Sequence, residues 1–149
     1  MSIHTENRIE IAAPATVIWD IAAAVERWPE ILPHYRYVRS EGTGEERIVH
    51  MGASRSGIPV RWSARQELHP ERNEITYHHT AGVTQGMDVV WHIVPSGRGC
   101  TVSIDHDLTP RRWWLRPAPA RYIVGTLFVM HIADRTLAGV RQEAEARAA

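Results

Sequence analysis

A few polar side chains in this sequence stand where an apolar pattern surrounds them. His106 falls on the same parity as Val102, Ile104 and Leu108 in the run Thr101–Leu108, so alternation turns it inward. Gln66 shares a parity with Val60, Trp62, Ala64 and Leu68. Asp134 interrupts a stripe of Ile123, Leu127, Met130, Ala133, Leu137 and Val140 at three- and four-residue steps. His79 and Tyr35 sit in less regular surroundings. An imidazole and a carboxylate form the sensible acid/base pair: the ring exchanges protons near neutral pH, and the carboxylate holds its tautomer or relays the proton. Glutamine adds neutral hydrogen bonds. Taken singly, each group is also accounted for by hydrogen bonds within a filled core. Taken together, they read as the sparse polar points of a greasy small-molecule pocket.

These residues must be positioned by the elements around them. Ile3–Ile11 alternates as a strand, with Ile9 and Ile11 on one face. Pro14 fits the first turn of a helix whose stripe is Ile18, Ile21, Ala22 and Val25, and which must stop before Pro29. Glu30–Leu32 adds a turn before Pro33, giving two short helices that meet at Trp28 and Pro29. From His34 the period shifts to two. Tyr35–Ser40, Glu46–Ser54, Ile58–Leu68, Glu74–Thr80, Met87–Val94 and Thr101–Leu108 are strand candidates separated by turn residues, a meander of antiparallel hairpins. Met87, Val89, Trp91 and Ile93 share the inner parity. The strand with Ile75, Tyr77 and His79 carries polar groups on both parities, which leaves its faces open. Last comes a helix over Arg121–Arg147, apolar nearly all round from Tyr122 to Met130 and locally weakened by Gly125 and Gly139. The prediction is an α+β fold: a curved antiparallel sheet of about seven strands gripping one long helix, in a single domain over residues 1–149.

Composition narrows the function. Lys+Arg and Asp+Glu both number 17, and the basic residues are scattered, which argues against a nucleic-acid binder. Cys100 stands alone, so the chain has no internal disulfide and no multi-cysteine metal site. His78 and His79 face opposite ways and cannot share one inward metal; no metal and no cofactor is expected. Residues 1–8 are polar and no apolar run reaches a membrane span, so a cytoplasmic protein without stable membrane insertion is expected. Six tryptophans against one phenylalanine point to large flat walls. Trp28, Tyr35, Trp62 and Trp91 are the candidate walls, Met51 and Met130 are packing residues that let the cavity adapt to its contents, and Met87 is a further substrate-binding candidate. Arg111, Arg112, Trp113 and Trp114 read as a gate, an interfacial anchor or a cap on the core.

The order strand, two short helices, six strands, long helix resembles the helix-grip fold of the START-like superfamily, also called SRPBCC. The opening IEIAAPATVIWDIAAAVERWPEILPHYRYV carries that superfamily's layout of strand, Ala-Pro, helix, Trp-Pro and Pro. Within it the chain resembles the polyketide aromatase/cyclases. RWSARQELHPERNEITYHH is similar to their W-x-x-x-x-[DE]-L-x-P strand and hairpin, SIDHDL to their strand with a pocket histidine, and HIADRTL to their helix with a pocket acid. The resemblance implies an internal apolar cavity holding a hydrophobic small molecule, and aldol cyclisation with loss of water. It implies His106 and Asp134 as the catalytic pair; Gln66 and His79 are candidate substrate-binding groups beside them. Where those enzymes usually carry an inward arginine that polarises carbonyls, this chain has Gln66, a donor without charge. An acyl carrier protein as the source of substrate, and a homodimer in place of a monomer, belong to the same expectation. A non-catalytic carrier of a quinone or lipid needs the walls but not the coupled pair.

Overall fold

The computed structural model describes the backbone of residues 3–42, 44–55, 57–82, 84–108 and 119–149, and side chains within 4–42, 44–54, 57–82, 84–107 and 130–149. The first strand, β1 (Ile3–Ile11), runs into Pro14, whose extended backbone (φ −65°, ψ 152°) precedes the helix α1 (Ala15–Ala23). α1 buries Ile18, Ile21 and Ala22. The helix stops before Pro29, as expected, but already at Ala23. A 3-10 turn covers Val25–Arg27, and α2 (Trp28–Ile31) has Pro29 in its own first turn. A proline there lacks only an N–H that a helix start leaves unpaired, so Pro29 opens a helix rather than closing one.

Six strands follow: β2 (Tyr35–Glu41), β3 (Glu46–Arg55), β4 (Ile58–His69), β5 (Glu74–Gly82), β6 (Asp88–Ser96) and β7 (Gly99–Leu108). Each pairs antiparallel with the next, and β1 joins β7 in the register Ile3↔Leu108 to Ile11↔Cys100. The sheet order is therefore β1-β7-β6-β5-β4-β3-β2. Met87, expected as the first residue of a strand, lies just outside β6 but stays buried.

The closing helix α3 (Pro119–Ala148) packs against both β1 and β3. In a flat sheet those strands would lie five spacings apart, about 24 Å at the usual strand separation. A helix is only about 10 Å across. One helix can touch both only if the sheet curls around it. Register irregularities between Tyr35 and Tyr37 and between Ser63 and Ala64 supply local bends. Beside the second, Gly82 takes φ +106°, and a Cβ there would come within 2.6 Å of the Arg61 carbonyl oxygen.

The grip closes where α2 meets α3. Gly139 does more than weaken the helix locally: its missing Cβ is the space that Leu32 fills, and Leu32 is fully buried. On the described part of α3, Ile132, Ala133, Thr136, Leu137, Val140 and Ala144 are buried. Residues 111–114 and the side chains of 122–129 lie outside the described residues. Among those described, no helix is long and apolar enough to cross a membrane.

Candidate ligand-binding cavity

Between the concave sheet and α3 lies about 510 Å³ of empty space, its opening to solvent included. Trp28 of α2, Tyr35 of β2, Met51 of β3, Trp62 of β4 and Trp91 of β6 supply much of the wall. Met87, Val89, Ile104, Ile132 and Ala133 complete its apolar part. Trp28 is held at both ends. Its indole N–H donates to the Ile21 carbonyl at 3.0 Å, an acceptor in the last turn of α1 that has no partner within its own helix. Its ring meets Tyr35 edge-on, with centroids 5.2 Å apart, and Trp91 at 5.8 Å. Tyr35 in turn meets Trp62 edge-on at 6.1 Å. These contacts fix the walls as a cluster of rigid rings.

Three kinds of polar group interrupt this surface: the imidazoles of His79 and His106, the hydroxyls of Tyr35 and Tyr77, and Thr136. His79 stacks on Trp62, its plane 7° from parallel, and its Nδ1 lies 2.8 Å from Thr84 Oγ1. Burial pulls its pKa down to about 3, with the nearby His106 adding to the effect. His106 is also buried, which lowers its pKa to about 4 although Asp105 and Asp107 pull the other way. Both rings are neutral at pH 7. Among the described residues, His106 Nδ1 is buried without a hydrogen-bond partner. The Tyr35 hydroxyl lies 3.4 Å from Thr136 Oγ1, which donates to the Ile132 carbonyl at 2.7 Å and lies 3.0 Å from His34 Nε2. Among the described residues, no charged group lines the cavity, and no three His, Cys, Asp or Glu are grouped to hold a metal.

Three expected site residues lie elsewhere. Asp134 is exposed on α3, and its carboxylate accepts from Asn7 Nδ2 at 2.5 Å; the expected pairing with His106 is not formed. Helix geometry explains this. Thr136 falls on the cavity side with Ile132, while Asp134, four residues after Met130, lies at the edge facing β1. Gln66 points inward and is fully buried, yet it is not in the cavity wall. Arg47 Nε–H donates to its carbonyl at 2.7 Å, and its amide donates to the Tyr77 hydroxyl at 3.0 Å. Met130, half-buried, is likewise absent from the wall.

Tyr77 and Thr136 line the cavity without standing out in the sequence as site residues, and Asn7 holds Asp134 outside it. The structure settles the open faces of β5 with Ile75, Tyr77 and His79 buried. For Tyr77 the signal was present, since it sits at i+2 from both Ile75 and His79. For Thr136 the signal was its spacing of four residues from both Ile132 and Val140. Asn7 shares the parity of Ile9 and Ile11 and is buried.

A strongly curved sheet, a long helix in its concavity and an apolar chamber between them define the helix-grip fold. Residues 11–129 match the family model described as polyketide cyclase / dehydrase and lipid transport, and the chain belongs to that family. It is 51% identical over 96 residues to a putative polyketide cyclase of Streptomyces cyaneus, covering 61% of this chain and 62% of that one. It is 31% identical over 112 residues to the granaticin polyketide synthase bifunctional cyclase/dehydratase of Streptomyces virginiae, covering 72% and 36% respectively. The chain thus spans less than two thirds of the length of either relative. The structure of the Zhui aromatase/cyclase from Streptomyces sp. R1128 superposes with a TM-score of 0.85 at 23% identity, over 99% of this chain and 96% of that one.

Proposed function

We propose that this chain binds a hydrophobic polyketide-like or polycyclic molecule in its cavity and cyclises and dehydrates it by acid/base chemistry at His106. The observation that carries the reading is a neutral imidazole on an apolar chamber, with one buried ring nitrogen that no described residue occupies. Such a ring accepts a proton from a carbon flanked by two carbonyls. The enolate carbon then attacks a carbonyl further along the same chain, forming the C–C bond, and the alkoxide takes the proton back. Loss of a second α-hydrogen with the hydroxyl releases water. Trp28, Trp62 and Trp91 hold the chain flat, and His79 offers a second neutral imidazole. Delivery by an acyl carrier protein belongs to this reading. A monomer and a homodimer both belong to this reading.

A second reading, a non-catalytic carrier of a quinone or lipid, has its own observation: Asp134 is engaged by Asn7, so His106 has no carboxylate from α3 to enforce its tautomer. One experiment separates the two. Native mass spectrometry followed by denaturing extraction identifies any co-purifying molecule, and the protein is then added to a poly-β-ketone chain. A changed product pattern that reverts with His106→Ala is the result expected of the enzyme. A quinone or lipid retained equally by wild type and His106→Ala, with unchanged poly-β-ketone products, removes the enzyme and leaves the carrier.

A further inference from the structure

A line of hydrogen bonds enters the cavity wall from outside, and its direction is fixed by chemistry at each step. Glu26 accepts from Ser40 Oγ at 2.8 Å and pairs with the Arg47 guanidinium, which also donates to the Ala23 carbonyl at 3.1 Å. Arginine has only donors, so the bond from Arg47 Nε at 2.7 Å must end on the carbonyl oxygen of Gln66. That settles the amide orientation and points Gln66 Nε2 at the Tyr77 hydroxyl, 3.0 Å away. An amide nitrogen only donates. The Tyr77 oxygen is therefore the acceptor, and its one hydrogen points elsewhere. No described residue accepts it. Tyr77 is buried and lines the cavity.

We infer that Tyr77 is a ligand-binding donor: the Glu26–Arg47–Gln66 chain commits its oxygen as acceptor and leaves its hydrogen for a neutral carbonyl oxygen in the cavity. A bond into a donor's oxygen polarises its O–H, so the ion pair at the far end strengthens the bond Tyr77 gives. Burial raises the phenol's pKa, which keeps that hydrogen in place. A ketone, quinone or ester oxygen fits this donor. A carboxylate does not, because no described cavity residue is charged to offset it. Tyr35 is not equivalent, since its hydroxyl lies beside Thr136 and has no such directing chain. The inference rests on the reading that the cavity holds a neutral hydrophobic molecule, whether or not that molecule reacts.

The test uses two probes of one carbon skeleton, 1-tetralone with a carbonyl and tetralin without, titrated against the full chain by NMR. The infrared C=O stretch of bound 1-tetralone is recorded alongside. Wild type is expected to bind 1-tetralone about five- to tenfold more tightly than tetralin, the worth of one buried hydrogen bond, with the C=O stretch lowered. Tyr77→Phe should bring the affinity ratio close to one and abolish the frequency shift, leaving tetralin affinity within about twofold. Gln66→Glu should do the same with the Tyr77 ring intact, because a carboxylate there accepts the Tyr77 hydrogen and withdraws it from the ligand. A ratio and stretch unchanged in Tyr77→Phe, or a ratio near one in wild type, overturns the inference while leaving the cavity reading in place. Failure of wild type to bind either probe overturns both.

Discussion

Asn7 on the first strand and Asp134 on the last helix, 127 positions apart, are joined by a 2.5 Å hydrogen bond from the Asn7 amide to the carboxylate. The contact ties the edge strand β1 to α3, and Asn7 Nδ2 also lies 3.4 Å from the Met130 carbonyl. It gives Asp134 a structural occupation outside the cavity. Asp134→Ala should therefore lower stability by about 1–2 kcal/mol, because the buried Asn7 amide loses its main acceptor. Ligand affinity should stay within about twofold. Urea unfolding and a binding titration on the same variant check both halves; a large loss of binding without loss of stability would return Asp134 to the site.

Trp28 carries a polar bond and a wall at once. Trp28→Phe removes the donor to the Ile21 carbonyl and opens space beside Tyr35 and Trp91. The expected cost is about 2 kcal/mol, combining an unpaired buried carbonyl with lost packing. Denaturant unfolding measures it, and amide exchange at the end of α1 should quicken.

Gly139→Ala would stabilise an exposed helix by about 1 kcal/mol. Here the added methyl meets the Leu32 side chain, which is fully buried. Overpacking of this kind costs about 1–3 kcal/mol, so the net change should be destabilising. Calorimetry should show a lower melting temperature. A rise would mean that α2 gives way freely.

Three buried histidines set the response to acid. His34 and His106 are lowered to about 4 and His79 to about 3, in each case chiefly by burial, against 6.5 when exposed. Between those values the unfolded chain binds more protons than the folded one, so stability rises with pH through that window. It should be level above about pH 6.5 as far as these groups go, and fall on acidification until each ring protonates in the fold. Each fully buried ring contributes a slope of about 1.4 kcal/mol per pH unit, an upper figure for the less buried His34. Unfolding at pH 7, 6 and 5 tests this. His79→Phe should reduce the slope by one proton, whereas an unchanged slope would mean that ring already titrates in the native state.

Most of the architecture was legible because strand and helix periods differ and the turns are marked by glycine and proline. Parity placed His106 inward on β7 and Gln66 inward on β4, since alternation in a strand is strict. It did not resolve β5, where polar groups occupy both faces. The misplacement of Asp134 has a geometric cause. One helical residue is about 100° of rotation, so a stripe read at three- and four-residue steps leaves its edge ambiguous. A residue on that edge faces either the chamber or β1, depending on how the helix is rolled.

The sequence by itself determined the order of elements, the inward faces of β4, β6 and β7, and the greasy, tryptophan-rich character of the interior, because these follow from local periodicity and residue chemistry. Only the tertiary structure decided which inward polar groups reach the cavity and which are used up behind it. Gln66 and Tyr77 lie on neighbouring strands and are paired residues in the sheet register. Yet one is spent on Arg47 and the other lines the chamber. That division depends on the curl of the sheet, the roll of α3 and the reach of an arginine from the next strand, all of them long-range relations that no local pattern encodes.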